Sequence, residues 1–171
     1  TLQTQIDWLV DLVGRLLQTR GRVLPMSAVP LELTAQVRGA DPAAPEEVST
    51  VVGQVEVAKT PGLVESIAVL PPDPPARPEV IDAVRSADAV VLGPGSWFTS
   101  VLTHLLVPEL RRALAETNAH RVLTLNLEST GETQGFSAVH HLEALATTAP
   151  ELTLETVLAD PSVVEDRAED G

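Results

Sequence analysis

Ala87-Asp88-Ala89-Val90-Val91-Leu92-Gly93-Pro94-Gly95-Ser96-Trp97-Phe98-Thr99-Ser100 is the stretch on which the fold turns. Ala89, Val90, Val91 and Leu92, with Ala87 before them, form an apolar run of strand length, and its unbroken character predicts burial on both faces. Gly93-Pro94-Gly95 can neither continue a strand nor open a regular helix. Ser96 or Thr99 then offers a hydroxyl cap, and Val101, Leu102, Leu105 and Leu106 predict a helix with one apolar stripe. Strand, glycine loop and helix start is how α/β proteins hold a phosphate: N–H groups converge, the helix dipole favours negative charge, and glycine admits a ligand to the main chain. The competing reading is a tight strand-to-helix turn that binds nothing. Small residues together with three hydroxyls (Ser96, Thr99, Ser100) shift the weight toward a ligand loop.

Outward from that stretch, the same alternation of strands and helices recurs. Residues 1–20 carry Leu2, Ile6, Leu9, Val10, Val13, Leu16 and Leu17 on one helical stripe, with Gly21 as the expected C-terminal stop and Trp8 in a packing role. Leu31, Leu33, Ala35 and Val37 alternate with polar residues as a half-buried strand. Val51, Val52, Val55 and Val57 predict its antiparallel partner, with Gly53 at a bulge, so that residues 31–58 form a hairpin excursion. Val64, Ile67, Val69 and Leu70 read as a further strand, Pro71 to Pro75 as a stiff connector, and Pro78 as the start of a short helix. Beyond the glycine loop, Pro108 interrupts the helix, Arg121 to Leu127 form a second buried strand, Ser137 caps a helix bearing Val139, Leu142, Leu145 and Ala146, and Leu154, Val157 and Leu158 make a last strand. Together these predict one α/β domain over residues 1–171, Rossmann-like, a three-layer α/β/α arrangement with a mostly parallel sheet and an antiparallel hairpin excursion.

Composition narrows the function. The net charge of −13 repels nucleic acid and anionic membrane surfaces, so a bound phosphate has to be held by local N–H groups, single arginines or a metal ion. There is no cysteine, no apolar run long enough to span a bilayer and no signal-peptide pattern, which together predict a cytoplasmic home without disulfides. Aromatic residues make up 2% of the chain, leaving little with which to stack exposed bases. The segment starts at Thr1 inside a helical pattern, which predicts a piece of a longer protein.

A second polar, glycine-containing loop, residues 126–136, follows the next strand, and ligands of open α/β sheets bind outside the carboxyl ends of strands. Asn126 has the paired donor and acceptor to read an amide, a base edge or a sugar, and equally to satisfy the neighbouring loop's backbone. Glu132 has three readings, as general base, as a water-mediated Mg2+ ligand or as an acceptor for loop amides, and the sequence favours the last. His141 lies one turn after Ser137 and can face the loop. His104 reads as structural and His120 as a surface residue. No Ser–His–Asp pattern, histidine metal spacing or lysine nucleophile emerges, so no catalytic or metal-ligating residue is assigned.

The stretches ADAVVLGPGSWFTSVLTHLLVPEL and RVLTLNLESTGETQGFSAVHHLEAL resemble the YvcK-like proteins, or gluconeogenesis factors, of the CofD-like superfamily. Gly93-Pro94-Gly95-Ser96, Thr99-Ser100, Asn126-Leu127, Gly131-Glu132-Thr133, Gly135-Phe136-Ser137 and His141 carry the match. Ser129-Thr130 replace the family's usual Gln-Pro, and His140 stands where an aspartate is usual. The family's N-terminal glycine-rich region, its Asp-Asp-Gly-Gly loop and its C-terminal end are absent from the sequence. The resemblance implies a Rossmann-like fold and a UDP-sugar or related nucleotide ligand, UDP-N-acetylglucosamine among them, in a regulatory protein linked to cell-wall synthesis and cell shape. On that footing Gly93, Pro94, Gly95 and Ser96 cradle the ligand, Thr99 or Ser100 adds hydroxyl contacts, and Asn126, Gly131, Glu132, Thr133 and His141 line the opposite side. The alternative it implies is a CofD-like 2-phospho-L-lactate transferase acting on a deazaflavin with Mg2+. A scaffold whose loops shape a protein interface is a third reading, and the wet hairpin offers an edge for a homodimer.

Overall fold

The computed structural model describes residues 2–127 and 131–164. Helix α1 (Leu2–Leu16) opens it. Thr19 N–H donates to the Gly14 carbonyl at 3.0 Å and Gln18 N–H to that of Arg15 at 3.2 Å, while Gln18 takes the left-handed conformation with φ 50°. This pair of bonds is the Schellman ending of a helix, with a glutamine in the position glycine usually fills. The helix thus stops short of Gly21. Its apolar stripe lies open: Leu9, Val13, Leu16 and Leu17 are exposed and Trp8 is 64% exposed, which corrects the packing role expected of that tryptophan.

Strand β1 (Glu32–Arg38) turns Leu33, Ala35 and Val37 inward, as its alternation predicts. It is the middle strand of an antiparallel sheet, flanked by β2 (Val48–Val52) and β3 (Leu63–Leu70). The predicted second strand ends earlier than expected. Gly53 N–H still donates to the Leu33 carbonyl at 2.8 Å, but Gly53 has φ 100° and sends the chain off the sheet into helix α2 (Gln54–Lys59). Val57 is fully buried there while Val55 faces solvent. Gly53 is therefore a helix N-cap rather than a bulge.

After the proline connector come α3 (Pro78–Ser86), with Pro78 in its first turn, and β4 (Ala89–Leu92). Beyond the glycine loop the expected α-helix is replaced by a π-turn, Trp97–Val101, followed by a 3-10 segment, Leu102–Leu106. Val101, Leu102 and Leu105 are nonetheless buried, as the stripe predicts. Helix α4 (Pro108–Glu116), β5 (His120–Thr124), α5 (Ala138–Thr148), β6 (Thr156–Leu158) and the short α6 (Pro161–Val164) complete the order. Strands β4, β5 and β6 form a parallel sheet in that sequence, with Leu92 opposite Leu123 and Val122 opposite Thr156.

The parallel and antiparallel sheets share one core. Leu33, Val37 and Val64 from one, Leu92, Leu123 and Leu125 from the other, and Phe98, Leu102 and Leu105 between them belong to a single apolar cluster. The helical stretch behind the glycine loop is thus part of the same core as both sheets. Only one face of β4 joins this core: Leu92 is buried and Val91 is 58% exposed, so the strand is not covered on both faces among the described residues. Arg121, buried at the start of β5, caps α4 by donating to the carbonyls of Leu114 and Ala115 at 3.3 and 3.0 Å. It also pairs with Glu155 at 2.5 Å, and its guanidinium draws the Glu155 carboxyl down to about 2. No helix among the described residues is long and apolar enough to cross a membrane.

Candidate functional site

The site begins where β4 ends. Gly93 has φ +76°, and a Cβ there would stand 2.5 Å from the carbonyl oxygen of Thr124 on β5. Only glycine lets the chain leave the sheet this close to its neighbour. The Gly93–Pro94 peptide is cis.

The second loop then takes hold of the first. Asn126, just beyond β5, accepts a hydrogen bond from Gly95 N–H at 3.0 Å and donates to the Gly95 carbonyl at 2.9 Å. Of the two roles open to Asn126 in the sequence, the structure shows it bracketing the neighbouring backbone. Glu132 sits on a 3-10 turn, Gly131–Thr133, and is buried. Its Oε1 accepts from the Ser96 hydroxyl at 2.6 Å and from Phe98 N–H at 3.0 Å. The Ser96 and Thr99 hydroxyls hydrogen-bond each other. Ser96 occupies the N-cap position, yet its hydroxyl is spent on Glu132 and Thr99 and not on a helix amide.

These bonds decide which donors stay open. Gly95 N–H belongs to Asn126 and Phe98 N–H to Glu132. Ser100 and Val101 N–H both donate to the Ser96 carbonyl at 3.0 Å. Among the described residues, the N–H groups of Ser96, Trp97 and Thr99 have no partner. Pro94 has none to offer.

An aromatic cluster ties the loops together from beneath. The Trp97 and His141 rings meet edge to face with centroids 4.9 Å apart, His141 meets Phe136 at 5.3 Å, and Phe136 meets Phe98 at 6.0 Å. His141 is buried and its Nδ1–H donates to the Ser137 carbonyl at 2.9 Å. Burial pushes its pKa below the usual histidine value, against the pull of that hydrogen bond, so the imidazole is held neutral. His140 serves instead in the capping box of α5, accepting from Ser137 N–H at 3.1 Å. The inward side of α5 is therefore His141 and Leu145, while Val139, assigned to the apolar stripe, is 40% exposed. Trp97 Nε1 and Glu132 Oε2 are buried without a partner among the described residues.

Of the residues singled out in the sequence, Gly93, Gly95, Ser96, Thr99, Asn126 and Glu132 converge directly. His141 reaches them through Trp97. Thr133 is buried behind Glu132, whereas Pro94, Ser100 and Gly131 face solvent. His104 Nδ1 bonds the Ser100 carbonyl, and His120 bonds Thr156 at 2.9 Å on the surface. Glu128, Ser129 and Thr130 of the second loop lie outside the described residues. Sequence reasoning passed over Trp97 and Phe98, although a signal was present: the chain has two tryptophans and two phenylalanines, and Trp97, Phe98 and Phe136 fall in these two loops. A groove of about 590 Å3 adjoins the cluster, between β3 and α5, lined by Ile67, Phe98, Leu102, Phe136 and His140 among others. A cleft of about 320 Å3 on the other side reaches Thr99 and Thr103.

Known proteins resemble the chain along most of its length. The family described as 2-phospho-L-lactate transferase CofD matches residues 2–170. A gluconeogenesis-factor relative from Mycobacterium tuberculosis is 49% identical over 152 residues, covering 88% of this chain and 44% of its own. One from Mycobacterium leprae is 47% identical over 161 residues, covering 94% and 45%. The Gluconeogenesis factor of Halalkalibacterium halodurans is 33% identical over 134 residues, covering 78% and 39%. A crystal structure of a UPF0052 family member from Bacillus halodurans superposes with a TM-score of 0.75 at 30% identity, over 87% of this chain and 46% of that one. The chain thus spans less than half the length of the curated relatives it matches.

Proposed function

The chain belongs to the CofD family, and from that premise we propose that it is a nucleotide-sugar-binding regulatory protein of the gluconeogenesis-factor type, with the glycine loop receiving the diphosphate. The observation that carries this reading is the set of open donors. With Gly95 and Phe98 held by the second loop, Ser96, Trp97 and Thr99 keep unpartnered N–H groups, flanked by two hydroxyls at the carboxyl end of a parallel strand. Unpaired main-chain donors at such a strand end are the ordinary means of holding a phosphate without positive side chains. A chain carrying −13 needs a local device of that kind.

The unpartnered amides support the diphosphate part of the proposal. The nucleoside, the sugar, the link to cell-wall synthesis and cell shape, and the cytoplasmic role are part of this proposal on the strength of the resemblance to the gluconeogenesis factors alone. The family's transferase chemistry would call for Mg2+. In the described parts of the two loops Glu132 is the one carboxylate, its Oε1 is engaged by Ser96 and Phe98 and its Oε2, though unpartnered, is a single buried oxygen, and the described residues hold no group of three His, Cys, Asp or Glu placed to share a metal ion. These residues do not by themselves fit a divalent cation, and no step is derived through one.

Gly95→Val tests the reading. A Cβ at Gly95 has room, 3.7 Å from that of Ser100; a thermal midpoint measured beside the binding establishes that the variant folds, and a branched side chain there is expected to block approach to the unpartnered amides. Calorimetry with UDP-N-acetylglucosamine is expected to show saturable binding to the wild type and a loss of at least about 10-fold, roughly 1.4 kcal/mol, in the variant. Absence of binding to the wild type, or equal affinity in both, would overturn it.

A further inference from the structure

Two donors of the glycine loop are taken by a carboxylate that comes from far along the chain, and this gives that carboxylate a role of its own. We infer that Glu132 is a positioning residue: by bonding Ser96 and Phe98 through one oxygen, it fixes the loop so that the intervening Trp97 N–H and its neighbours at Ser96 and Thr99 are the ones left for a ligand. For its affinity arm only, this rests on the loop being the ligand site.

The argument is one of burial and reach. Glu132 is 7% exposed and Phe98 4%. Burying a carboxylate is costly unless it is hydrogen-bonded, and here Oε1 alone receives both the 2.6 Å hydroxyl bond and the 3.0 Å amide bond, while Oε2 is buried without a partner among the described residues, so these two bonds are what hold the side chain in place. A ligand phosphate cannot take the Phe98 amide without first displacing the buried Glu132 side chain. The Ser96 hydroxyl is likewise oriented, since it faces Glu132 and Thr99 together. Glu132 therefore acts through the backbone that it holds, the amide-acceptor reading that its sequence favours, whereas the family resemblance implies a ligand contact. Asn126 does the same for Gly95 from the other side, so the second loop sets the shape of the first at both ends.

The test uses Glu132→Gln and Glu132→Ala, with amide hydrogen exchange resolved at Phe98 and, as a reference for global opening, at Leu123 in β5. Glutamine retains an acceptor oxygen for both donors, and alanine retains none. Phe98 exchange is expected to rise about 10- to 100-fold in Glu132→Ala while Leu123 changes far less, and to stay within about threefold of wild type in Glu132→Gln. Affinity for UDP-N-acetylglucosamine is expected to follow the same order. Unchanged Phe98 protection in Glu132→Ala overturns the inference, as does equal loosening of Phe98 and Leu123. Loss of affinity in Glu132→Gln with Phe98 still protected would make Glu132 a ligand contact, and tighter binding in Glu132→Ala would make it a competitor; either overturns it. If the wild type binds no UDP-sugar, the proposed function fails, and the exchange comparison still decides the role of Glu132. Should Glu132→Ala not fold, Ser96→Ala removes one of the two bonds and is read on the same amides.

Discussion

Gly93→Ala is expected to lower the thermal midpoint by about 6–12 °C, the equivalent of roughly 3 kcal/mol for a domain of this size. Two costs add. A side chain in the left-handed region costs about 1–2 kcal/mol, and here φ is +76°. The new methyl would also lie 2.5 Å from the Thr124 carbonyl, a main-chain atom of β5 that cannot step aside without disturbing the β4–β5 pairing. Gly95→Ala is the control. It has 3.7 Å to its nearest neighbour and no left-handed φ, so it is expected to fall within about 0.5 kcal/mol of wild type. Equal midpoints for the two variants would contradict the claim that β4 leaves the sheet through a glycine-only turn.

Trp97→Ala is expected to cost about 3–5 kcal/mol, measured as the shift in denaturant midpoint. The indole is 3% exposed and is the piece through which His141 reaches the glycine loop. Trp97→Phe separates packing from polarity. It keeps an aromatic ring against His141 and removes a buried N–H that has no partner among the described residues. Losing an unsatisfied donor offsets part of the lost volume, so a cost under about 1.5 kcal/mol is expected. If Trp97→Phe were as damaging as Trp97→Ala, the indole N–H would have to be a satisfied and necessary donor, and the cluster would have been misread.

What the sequence made legible follows from local chemistry. The strand-loop order around Gly93, the inward alternation of Leu33, Ala35 and Val37, the proline start of α3 and the Ser137 cap are each written in a few adjacent residues. The misreadings arise where the same local pattern has two outcomes. Val55 and Val57 alternate as a strand would, yet Gly53 at φ 100° turns them into one inward and one outward position of a short helix. The apolar run of β4 and the stripe of α1 announce faces fit for burial, and neither says what covers them; Val91 and Trp8 stand open. In the site, Asn126 and Glu132 could be recognised as polar groups at a strand end. Bonding to loop backbone is among the readings open to both; that the partners are Gly95 for Asn126 and Ser96 and Phe98 for Glu132 was beyond local reading, because they lie 31 to 36 residues away.

Three unpartnered amides are what the functional reading stands on, so the most direct measurement follows those amides. Titrating UDP-N-acetylglucosamine into isotopically labelled protein and recording amide resonances should move Ser96, Trp97 and Thr99 together, saturably and with one dissociation constant. Phe98, held by Glu132, should shift less. A ligand that shifted resonances elsewhere while leaving those three unmoved would contradict the account.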